Sequence, residues 1–318
     1  MATDINTLAR KCGVSKATIS RVFTGRARVS EAIRARVLAA ARELNYRPQQ
    51  VMARDCVAIV VSRAPSQKTR GAFSERLIPS TIFEITRRNL LTEIIAVGDL
   101  PKLYDGYTKA VLLLLPEETI AEHRAEIEKL SMPIITVNKR YPFSISVNTD
   151  HGQGVTLALK HLYENGHRRI GIAIDRLGNQ AGLERSNAYT AFMNERQLPP
   201  LEIAEFRDPG NSGQLDRLLA EKPTALVVCG EGAALPALCA IRKHGIRIPE
   251  DLSVITSELA EVSGLWNPGI TTIDQDLDLL AAELIDCVNK CIRNPELRPE
   301  ARWLPSRLIL RESVRNIG

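Results

Sequence analysis

The sequence predicts a small α-helical head followed by an α/β body that contains two parallel sheets. Charge is unevenly distributed, since residues 1–54 carry 11 Lys and Arg against 3 Asp and Glu, whereas the remaining 264 residues carry 31 against 34. Hydrophobic spacing also changes near residue 56, from helical periodicity to short continuous apolar runs that alternate with helical stretches. A basic, folded head on a slightly acidic body is typical of a protein whose head meets a polyanion.

The composition excludes several other classes. With 318 residues, 44 % of them hydrophobic, the chain can fill the cores of two or three domains. A signal-peptide pattern and a long apolar run are both absent, so we expect neither secretion nor a membrane span, and we expect a cytoplasmic protein. Six cysteines without a C-x-x-C pair do not form a metal or disulfide framework. The sequence therefore predicts no metal site and no cofactor.

Three short helices are predicted in the head, over about 4–11, 16–23 and 30–45. Gly13 supplies the backbone freedom of a tight turn between the first two, and Ser15 can cap the second. The apolar residues at helical spacing are Ile5, Leu8, Ala9, Cys12, Ile19, Val22, Phe23, Ile33, Val37, Ala40, Ala41 and Leu44. Two helices that cross closely around a glycine turn indicate a helix-turn-helix.

The outward side of the second helix carries side chains that suit a DNA major groove. The predicted DNA-binding residues are Ser15, Lys16, Ala17, Thr18, Ser20 and Arg21. Arginine and lysine bond guanine edges, a small methyl group packs beside thymine, and hydroxyls reach phosphates. The alternative is an ordinary three-helix module whose exposed face only keeps it in solution. The turn, the spacing and the concentrated charge together favour DNA binding.

The whole head, residues 1–47, resembles the DNA-binding head of the LacI/GalR family of bacterial repressors. The matching motifs include "VSKATISRV", "RVSE" and "NYRP". The resemblance implies that Lys16, Ala17 and Arg21 face bases, while Ser15, Thr18 and Ser20 lie near the DNA backbone.

Residues 48–55 are predicted to form a shortened hinge or linker, which departs from that family. Family members use this segment as a hinge helix whose leucine enters the minor groove. Here Asp55 occupies the place of the leucine, and a carboxylate is repelled by phosphates. Val51 and Met52 remain as substitutes. We expect a shorter or stiffer coupling between head and body.

The body, residues 56–318, alternates strands with helices. Predicted strands are 56–62, 92–97, 110–115, 134–138, 169–174, 202–206, 225–229 and 252–256. Predicted helices are 73–90, 117–130, 152–165, 183–196, 212–221, 231–245 and 275–293. Continuous runs such as "AVLLLL" and "TALVVC" suit strands that are covered on both faces of a parallel sheet. Residues 98–109 leave little room for a helix.

A small-molecule site is expected beyond the carboxyl ends of the strands, where ligands of open parallel sheets bind. Asp150, Asp175, Glu231 and Glu258 each follow a strand or strand-like segment, and Arg185 begins a helix at the same edge. Acids with one arginine can bind a polyhydroxy or charged small molecule. For each acid alone, capping a helix is the competing interpretation.

The second half of the body resembles the same family. The matching segments are "VNTDHGQGVTLALKHLYENGHRRIGI", "ERSNAYTAF" and "RKHGIRIPEDLSVITSELAEVSGLWNPGITTIDQD". The resemblance implies a periplasmic-binding-protein-like clamshell, with an N-subdomain at about 56–150 and 275–302 and a C-subdomain at about 151–274 and 303–318. The strand-end positions and the resemblance together give the predicted effector-binding residues Phe73, Asp150, Arg185, Glu231 and Glu258, of which the resemblance assigns Arg185 as the effector clamp and Phe73 to the pocket wall. At Gly230, Glu231 and Glu258 the chain departs from the usual family residues.

The sequence thus predicts a transcriptional regulator, most readily a repressor, that binds a pseudo-palindromic operator in double-stranded DNA as a homodimer. Its effector would be a sugar or sugar derivative. One alternative is a ligand-independent DNA binder whose clamshell serves only for dimerisation. Another is a head fused to a sugar-modifying enzyme, but "CGEGAAL" lacks the last small residue of a dinucleotide fingerprint and no phosphate loop occurs. None of the five histidines forms a catalytic arrangement, so no catalytic residue is predicted.

Overall fold

The structure is a computed structural model. It describes residues 5–24, 29–44, 46, 54–62, 72–104, 108–206, 213–230, 233–257, 263–294, 296–297 and 300–318. Predictions made for Glu231, Glu258 and residues 48–53 of the linker lie outside these residues.

The head contains the three predicted helices. They are α1 (Ile5–Cys12), α2 (Lys16–Thr24) and α3 (Glu31–Glu43). Gly13 has φ +59°, in the left-handed region that favours glycine, and so allows the tight turn between α1 and α2. The buried side chains come from all three helices and are Leu8, Ala9, Cys12, Ile19, Val22, Val37, Ala40 and Ala41. The predicted inner faces are therefore the ones that form the head's core.

The first half of the body is a six-stranded sheet in which every described strand pair is parallel. Its strands in spatial order are β2 (Leu91–Ala96), β1 (Cys56–Val61), β3 (Thr108–Leu114), β4 (Ile134–Val137), β5 (Ile145–Thr149) and β11 (Ala301–Leu304). Helices α4 (Ala72–Arg87) and α11 (Leu277–Arg293) cover one face. A 3-10 helix (Val97–Tyr104) and the short helices α5 (Glu117–Glu122) and α6 (Arg124–Ile127) cover the other.

The alternation of side chains explains why the strands are continuously apolar. Along β1, Val57 and Ile59 pack toward α4 and α11, whereas Ala58 and Val60 pack toward the opposite layer. All four are fully buried. A strand covered on both faces needs apolar residues at every position.

The second half of the body repeats this architecture. Its sheet has the order β7 (Ala204–Glu205), β6 (Ile170–Ile174), β8 (Ala225–Cys229), β9 (Ser253–Thr256), β10 (Thr271–Asp274) and β12 (Arg307–Ile309). Only β12 runs antiparallel to its described neighbour, β10. Helices α7 (His151–Glu164) and α8 (Gln180–Glu195) cover one face. Helices α9 (Gly213–Ala220) and α10 (Ala234–Lys243) cover the other.

The structure departs from the predicted elements in four places. The helix predicted at 117–130 is divided at His123, whose φ of −104° and ψ of 16° interrupt the helical backbone. Residues 98–109, expected to leave little room for a helix, contain most of the 3-10 helix, which buries Leu100 and Leu103. The strand predicted at 202–206 is reduced to the two residues of β7. Strands β5, β10, β11 and β12 were not among the predicted strands, and the last three have only three or four residues, too few to show a period.

Three chain crossings join the two halves of the body. The chain passes from β5 into α7, from β10 into α11, and from β11 into β12. The Asp150 amide donates to the Leu304 carbonyl at 2.8 Å, and Ser306 Oγ donates to the Asp150 carbonyl at 2.8 Å. The crossing from β5 to α7 is thus hydrogen-bonded to the crossing from β11 to β12. Strand β11 itself pairs with β5 at the edge of the first sheet, as far as Leu304. The carboxyl ends of both sheets lie on either side of one cleft.

Among the described residues, no helix is long and apolar enough to cross a membrane. The same residues contain no cluster of three or more His, Cys, Asp or Glu able to hold a metal ion.

Candidate functional sites: an exposed helix and a cleft

Helix α2 buries one side and presents the other to solvent. Ile19 and Val22 are buried, whereas Lys16, Ala17, Ser20 and Arg21 are exposed. This division follows from the spacing of apolar residues along the helix. The exposed side therefore holds two cations, a hydroxyl and a methyl group on one rigid helix.

The start of α2 is fixed by a side-chain cap. Ser15 Oγ accepts from the Thr18 backbone amide at 3.1 Å and lies 2.9 Å from Thr18 Oγ1. Such a cap satisfies an amide that the first turn of a helix leaves without a partner. Two of the six predicted DNA-binding residues, Ser15 and Thr18, thus also hold the helix in place.

The cleft between the two halves of the body holds a cavity of about 200 Å³ that is lined by residues of both halves. The first half supplies most of the apolar lining, namely Phe73, Leu77, Leu114, Leu115, Val137 and Leu277. The second half supplies mainly polar groups, among them His151, Asp175 and Arg185. The first half also contributes Glu117, Glu118, Asn138 and Lys139, so a ligand in this cavity would contact charged groups from both halves.

Arg185 lies at the floor of the cleft, with only 6 % of its surface exposed. Its Nη1 lies 3.5 Å from Asp175 Oδ1, and its Nη2 lies 3.4 Å from His151 Nδ1. Arginine cannot accept a hydrogen bond, so His151 Nδ1 is the acceptor and the proton of the neutral ring is on Nε2.

Asp175 can lie here because a glycine is beside it. Gly230 has φ +123°, and a Cβ at this position would lie 2.0 Å from Asp175 Cγ. A larger residue would displace the carboxylate from Arg185. The Gly230 amide in turn donates to Ser257 Oγ at 3.0 Å, which fixes the loop after β8.

His151 is neutral and incompletely hydrogen-bonded. Burial, together with the charges of Arg185 and Lys139, holds the pKa of His151 well below its usual value. Its Nε2 is buried and has no hydrogen-bond partner among the described residues. Buried donors are normally paired, so this atom marks a place where a further acceptor is missing.

Direct contacts across the cleft hold its rim closed. Arg176 Nη1 of the second half lies 2.7 Å from Glu118 Oε1 of the first, and this hydrogen bond lowers the pKa of Glu118 although burial opposes the shift. The side chain of Gln180 binds the backbone of Arg140 twice. Its Oε1 accepts from the Arg140 backbone amide at 2.8 Å, and its Nε2 donates to the Arg140 carbonyl at 3.2 Å. Arg140 also forms an ion pair with Glu184 at 3.1 Å.

A carboxylate from the first half also caps a helix of the second. Glu117 Oε1 accepts from the Gln180 backbone amide at 3.1 Å, at the first turn of α8. The partial positive charge of a helix N-terminus favours such a contact. The closed arrangement therefore rests on the chain's own side chains.

The predicted effector residues have different locations. Phe73 and Arg185 line the same cavity from opposite halves. The Asp150 side chain caps α7 by accepting from the Gln153 amide at 2.7 Å, which is the competing role considered for each acid. Glu231 and Glu258 lie outside the described residues.

Sequence reasoning missed several residues that line the cleft. Asn138 and Lys139 directly follow β4, so the rule that ligands bind beyond strand ends could have identified them. His151 is the second residue after β5, so the same rule could have identified it, but its contact with Arg185, 34 residues away, could not be predicted.

Two families match the chain in successive regions. The family of bacterial regulatory proteins called the lacI family matches residues 4–49, and the periplasmic binding protein-like domain matches residues 159–314.

Curated relatives align along the whole chain. The HTH-type transcriptional repressor PurR of Aliivibrio salmonicida (strain LFI1238) is 26 % identical over 335 residues, covering 100 % of both chains. The ribose operon repressor of Haemophilus influenzae is 28 % identical over 340 residues, covering 99 % of each.

Solved structures show the same fold. A lac repressor dimer bound to operator and the anti-inducer ONPF superposes with a TM-score of 0.79 at 22 % identity, covering 99 % of this chain and 100 % of that one. A regulator from Enterococcus faecium with bound ribose has a TM-score of 0.66 at 20 % identity, covering 82 % of this chain and 100 % of that one.

Proposed function

Because the chain belongs to the LacI family of bacterial regulatory proteins, we propose that it is a transcriptional repressor that binds a pseudo-palindromic DNA operator as a homodimer. A small molecule in the cleft of the body controls this binding. The relatives are repressors, so the alternative of a sugar-modifying enzyme is set aside.

The exposed side of α2 is the observation that carries this proposal. Lys16, Ala17, Ser20 and Arg21 project from a helix whose opposite side is buried and whose first turn is capped. Lysine and arginine read guanine, and the alanine methyl group suits thymine. The surrounding charge, a net of +8 over residues 1–54, supplies attraction to phosphates that is independent of sequence.

A dimer gives this surface enough contacts. One recognition helix reaches few base pairs, whereas two heads in register address two half-sites about one helical turn apart. The second head binds as an intramolecular event, which raises the overall affinity. The lac repressor structure is a dimer bound to operator, which supports the same assembly for this chain.

The cleft supports control by a small molecule. Its two walls belong to separate halves of the body, so a ligand that contacts both prefers the closed arrangement. Closure of the cleft can change the spacing of the two heads on DNA. The resulting change in the free energy of DNA binding cannot exceed the difference between the ligand's binding free energies for the two arrangements. The Enterococcus faecium regulator of the same fold was solved with bound ribose, which supports a small-molecule ligand for this chain.

One observation favours the second candidate, a DNA binder that needs no ligand. The rim is closed by the pairs Arg176–Glu118 and Arg140–Glu184 and by the Gln180 bonds to Arg140. A cleft that its own side chains hold closed could serve only for dimerisation.

Selection from a random duplex pool tests the proposal. The full-length protein is incubated with the pool, bound duplexes are amplified and sequenced, and the enriched site is titrated by fluorescence anisotropy at two salt concentrations. We expect an inverted repeat, with an affinity that falls steeply as salt rises. No enriched sequence, or an enriched site without two-fold symmetry, would contradict it. A melting-temperature screen against small molecules distinguishes the two candidates, since only a specific ligand stabilises by mass action.

A further inference from the structure

Most of the charged side chains that line the described part of the cavity are paired within the protein. Three carboxylates among them each lie against an arginine, so that each pair carries no net charge. The pairs are Glu118 with Arg176 at 2.7 Å, Asp175 with Arg185 at 3.5 Å, and Asp274 with Arg307 at 2.8 Å.

The two other charges of this described lining have opposite signs. Glu117 Oε1 accepts from the Gln180 backbone amide. Lys139 lies near Glu118: burial raises the pKa of that carboxyl, but its bonds to Arg176 and the charge of Lys139 outweigh burial. The described lining and its pairs thus have no charge in excess. A charged ligand would be buried here without a counter-charge of its own, which is costly, whereas an uncharged ligand leaves the pairs as they are.

The His151 ring differs from these paired groups. Within the described parts of the chain, two buried side-chain atoms lack a hydrogen-bond partner, His151 Nε2 and Thr256 Oγ1, and of these two residues His151 lines the cavity. Arg185 Nη2 donates to His151 Nδ1, so the proton of the neutral ring is on Nε2. The ring therefore offers one buried donor that lacks an acceptor.

The position of this donor is fixed by the surrounding backbone. His151 is 7 % exposed and is the first residue of α7, directly after the capping residue Asp150. The backbone of Asp150 bonds the Leu304 carbonyl and Ser306 Oγ, in the crossing from β11 to β12. A bond to the His151 ring would thus form beside two of the segments that join the halves of the body.

We propose that the effector is an uncharged molecule with an acceptor atom that bonds His151 Nε2. In the closed, ligand-free cleft Nε2 is covered and unpaired, which disfavours closure. A ligand that supplies the acceptor gives this atom a partner and so favours the closed arrangement. The rest of the ligand packs against apolar side chains such as Phe73 and Leu277. This inference rests on the proposed function, because it assigns a ligand class and a contact residue to the same control site.

Matched compounds test the charge requirement. Each set shares a skeleton and differs in charge: sorbitol, gluconate and glucamine; benzamide, benzoate and benzylamine; and glucose with glucuronate. The full-length protein is titrated calorimetrically at pH 7 with these compounds and with ribose. We expect at least one uncharged compound to bind, and each uncharged compound that binds and has charged counterparts to bind at least about tenfold more tightly than they do. The reason is that a buried charge without a counter-charge costs more than one hydrogen bond contributes.

Two substitutions at His151 test the donor. In His151→Gln the longer side chain brings an amide donor to the place of Nε2, whereas in His151→Asn the amide reaches only the place of Nδ1 and can accept from Arg185. For the tightest uncharged compound we expect His151→Asn to weaken binding about tenfold and His151→Gln to retain most of the affinity. His161→Asn, the same change further along α7, is the control and should leave binding unaltered. Circular dichroism shows whether each variant folds.

A measurement on the unsubstituted protein tests the same bond. With ¹⁵N-labelled histidine, the Nε2–H signal of His151 is identified by its loss in His151→Gln. We expect this signal to shift when the tightest uncharged compound is added, while the ring signals of His161 stay in place.

Four results would overturn the inference: no binding by any uncharged compound, a charged compound that binds as tightly as its uncharged counterpart, a folded His151→Asn variant with wild-type affinity, or a His151 signal that does not shift. Failure of the proposed function is a separate outcome, because it would appear as the lack of an enriched operator in the duplex selection. An operator-binding protein that responds only to a charged ligand would retain the proposed function and refute this inference.

Discussion

Two arginines show how differently the head and the body use the same side chain. Arg21 is exposed on α2, as Lys16 is, and it forms no ion pair with the residues that the structure describes. Arg185 is 6 % exposed at the start of α8 and lies between Asp175 and His151. An exposed cation can meet a large polyanion, whereas a buried one acts only on what enters its cavity. The proposed function assigns separate tasks to these two surfaces.

Among the tests of this difference between head and body, we expect the largest effect from Arg21→Ala, as a loss of operator affinity. A lost bidentate base contact costs about 1–3 kcal/mol, so a dimer that lacks both should lose about 2–6 kcal/mol of operator binding. Anisotropy titration against the selected site and against a scrambled duplex measures the change. Arg10→Ala, which removes an equal charge from the exposed end of α1, is the control and should weaken both duplexes alike. Equal losses in the two variants would refute a base-reading role for Arg21.

Tyr189→Phe should lower the stability of the body and leave that of the head unchanged. Tyr189 is fully buried, and its hydroxyl bonds the Ile170 carbonyl and the Leu201 amide, each at 2.9 Å. Removing the hydroxyl leaves both partners unpaired, so we expect the free energy of unfolding to fall by about 1–3 kcal/mol. Urea unfolding followed by tryptophan fluorescence reports on the body alone, because Trp266 and Trp303 both lie there. Tyr163→Phe, at a half-buried residue of α7, is the control; an equal loss there would contradict this explanation.

Acid should likewise destabilise the body. All five histidines lie there, and burial lowers the pKa of His167, as it does that of His151. A lowered pKa in the folded state means that the unfolded chain binds more protons. The free energy of unfolding should therefore be at its full value above the unfolded pKa of about 6.5 and should fall as the pH drops below it.

Urea unfolding above and below that pH measures this dependence. His167→Gln, which can still donate to the Arg315 carbonyl, should reduce the slope on the acid side. An unchanged slope in the variant would show that His167 is not responsible.

The smallest effect concerns the rim of the cleft. Gln180→Ala removes three hydrogen bonds to Arg140, and we expect the closed arrangement to lose about 1 kcal/mol. The Arg140 guanidinium lies 5.1 Å from the centre of the Trp303 ring, so the fluorescence of Trp303 should report the opening. Gln153→Ala, which removes a bond to the Ser306 amide at a crossing and not at the rim, provides the comparison. Fluorescence that is unaltered in Gln180→Ala would argue against a closing role.

Local patterns in the sequence were enough to predict the head and the alternating body. The inner face of α2 follows from the spacing of Ile19 and Val22, and the buried strands follow from continuous apolar runs. Contacts between distant residues were not predictable. Gln180 meets Arg140 across 40 residues, and Arg88 reaches the Ala282 carbonyl across 194. Such pairs depend on how elements pack, and the chemistry of the cleft depends on them.

The response of operator binding to a cleft ligand tests the division of tasks most directly. The selected operator is titrated with wild-type protein, Arg21→Ala and Arg185→Met, each with and without a ligand found in the melting screen. We expect Arg21→Ala to lose operator affinity, and Arg185→Met to keep it while no longer responding to the ligand. A full ligand response in Arg185→Met, or undiminished operator affinity in Arg21→Ala, would contradict the account.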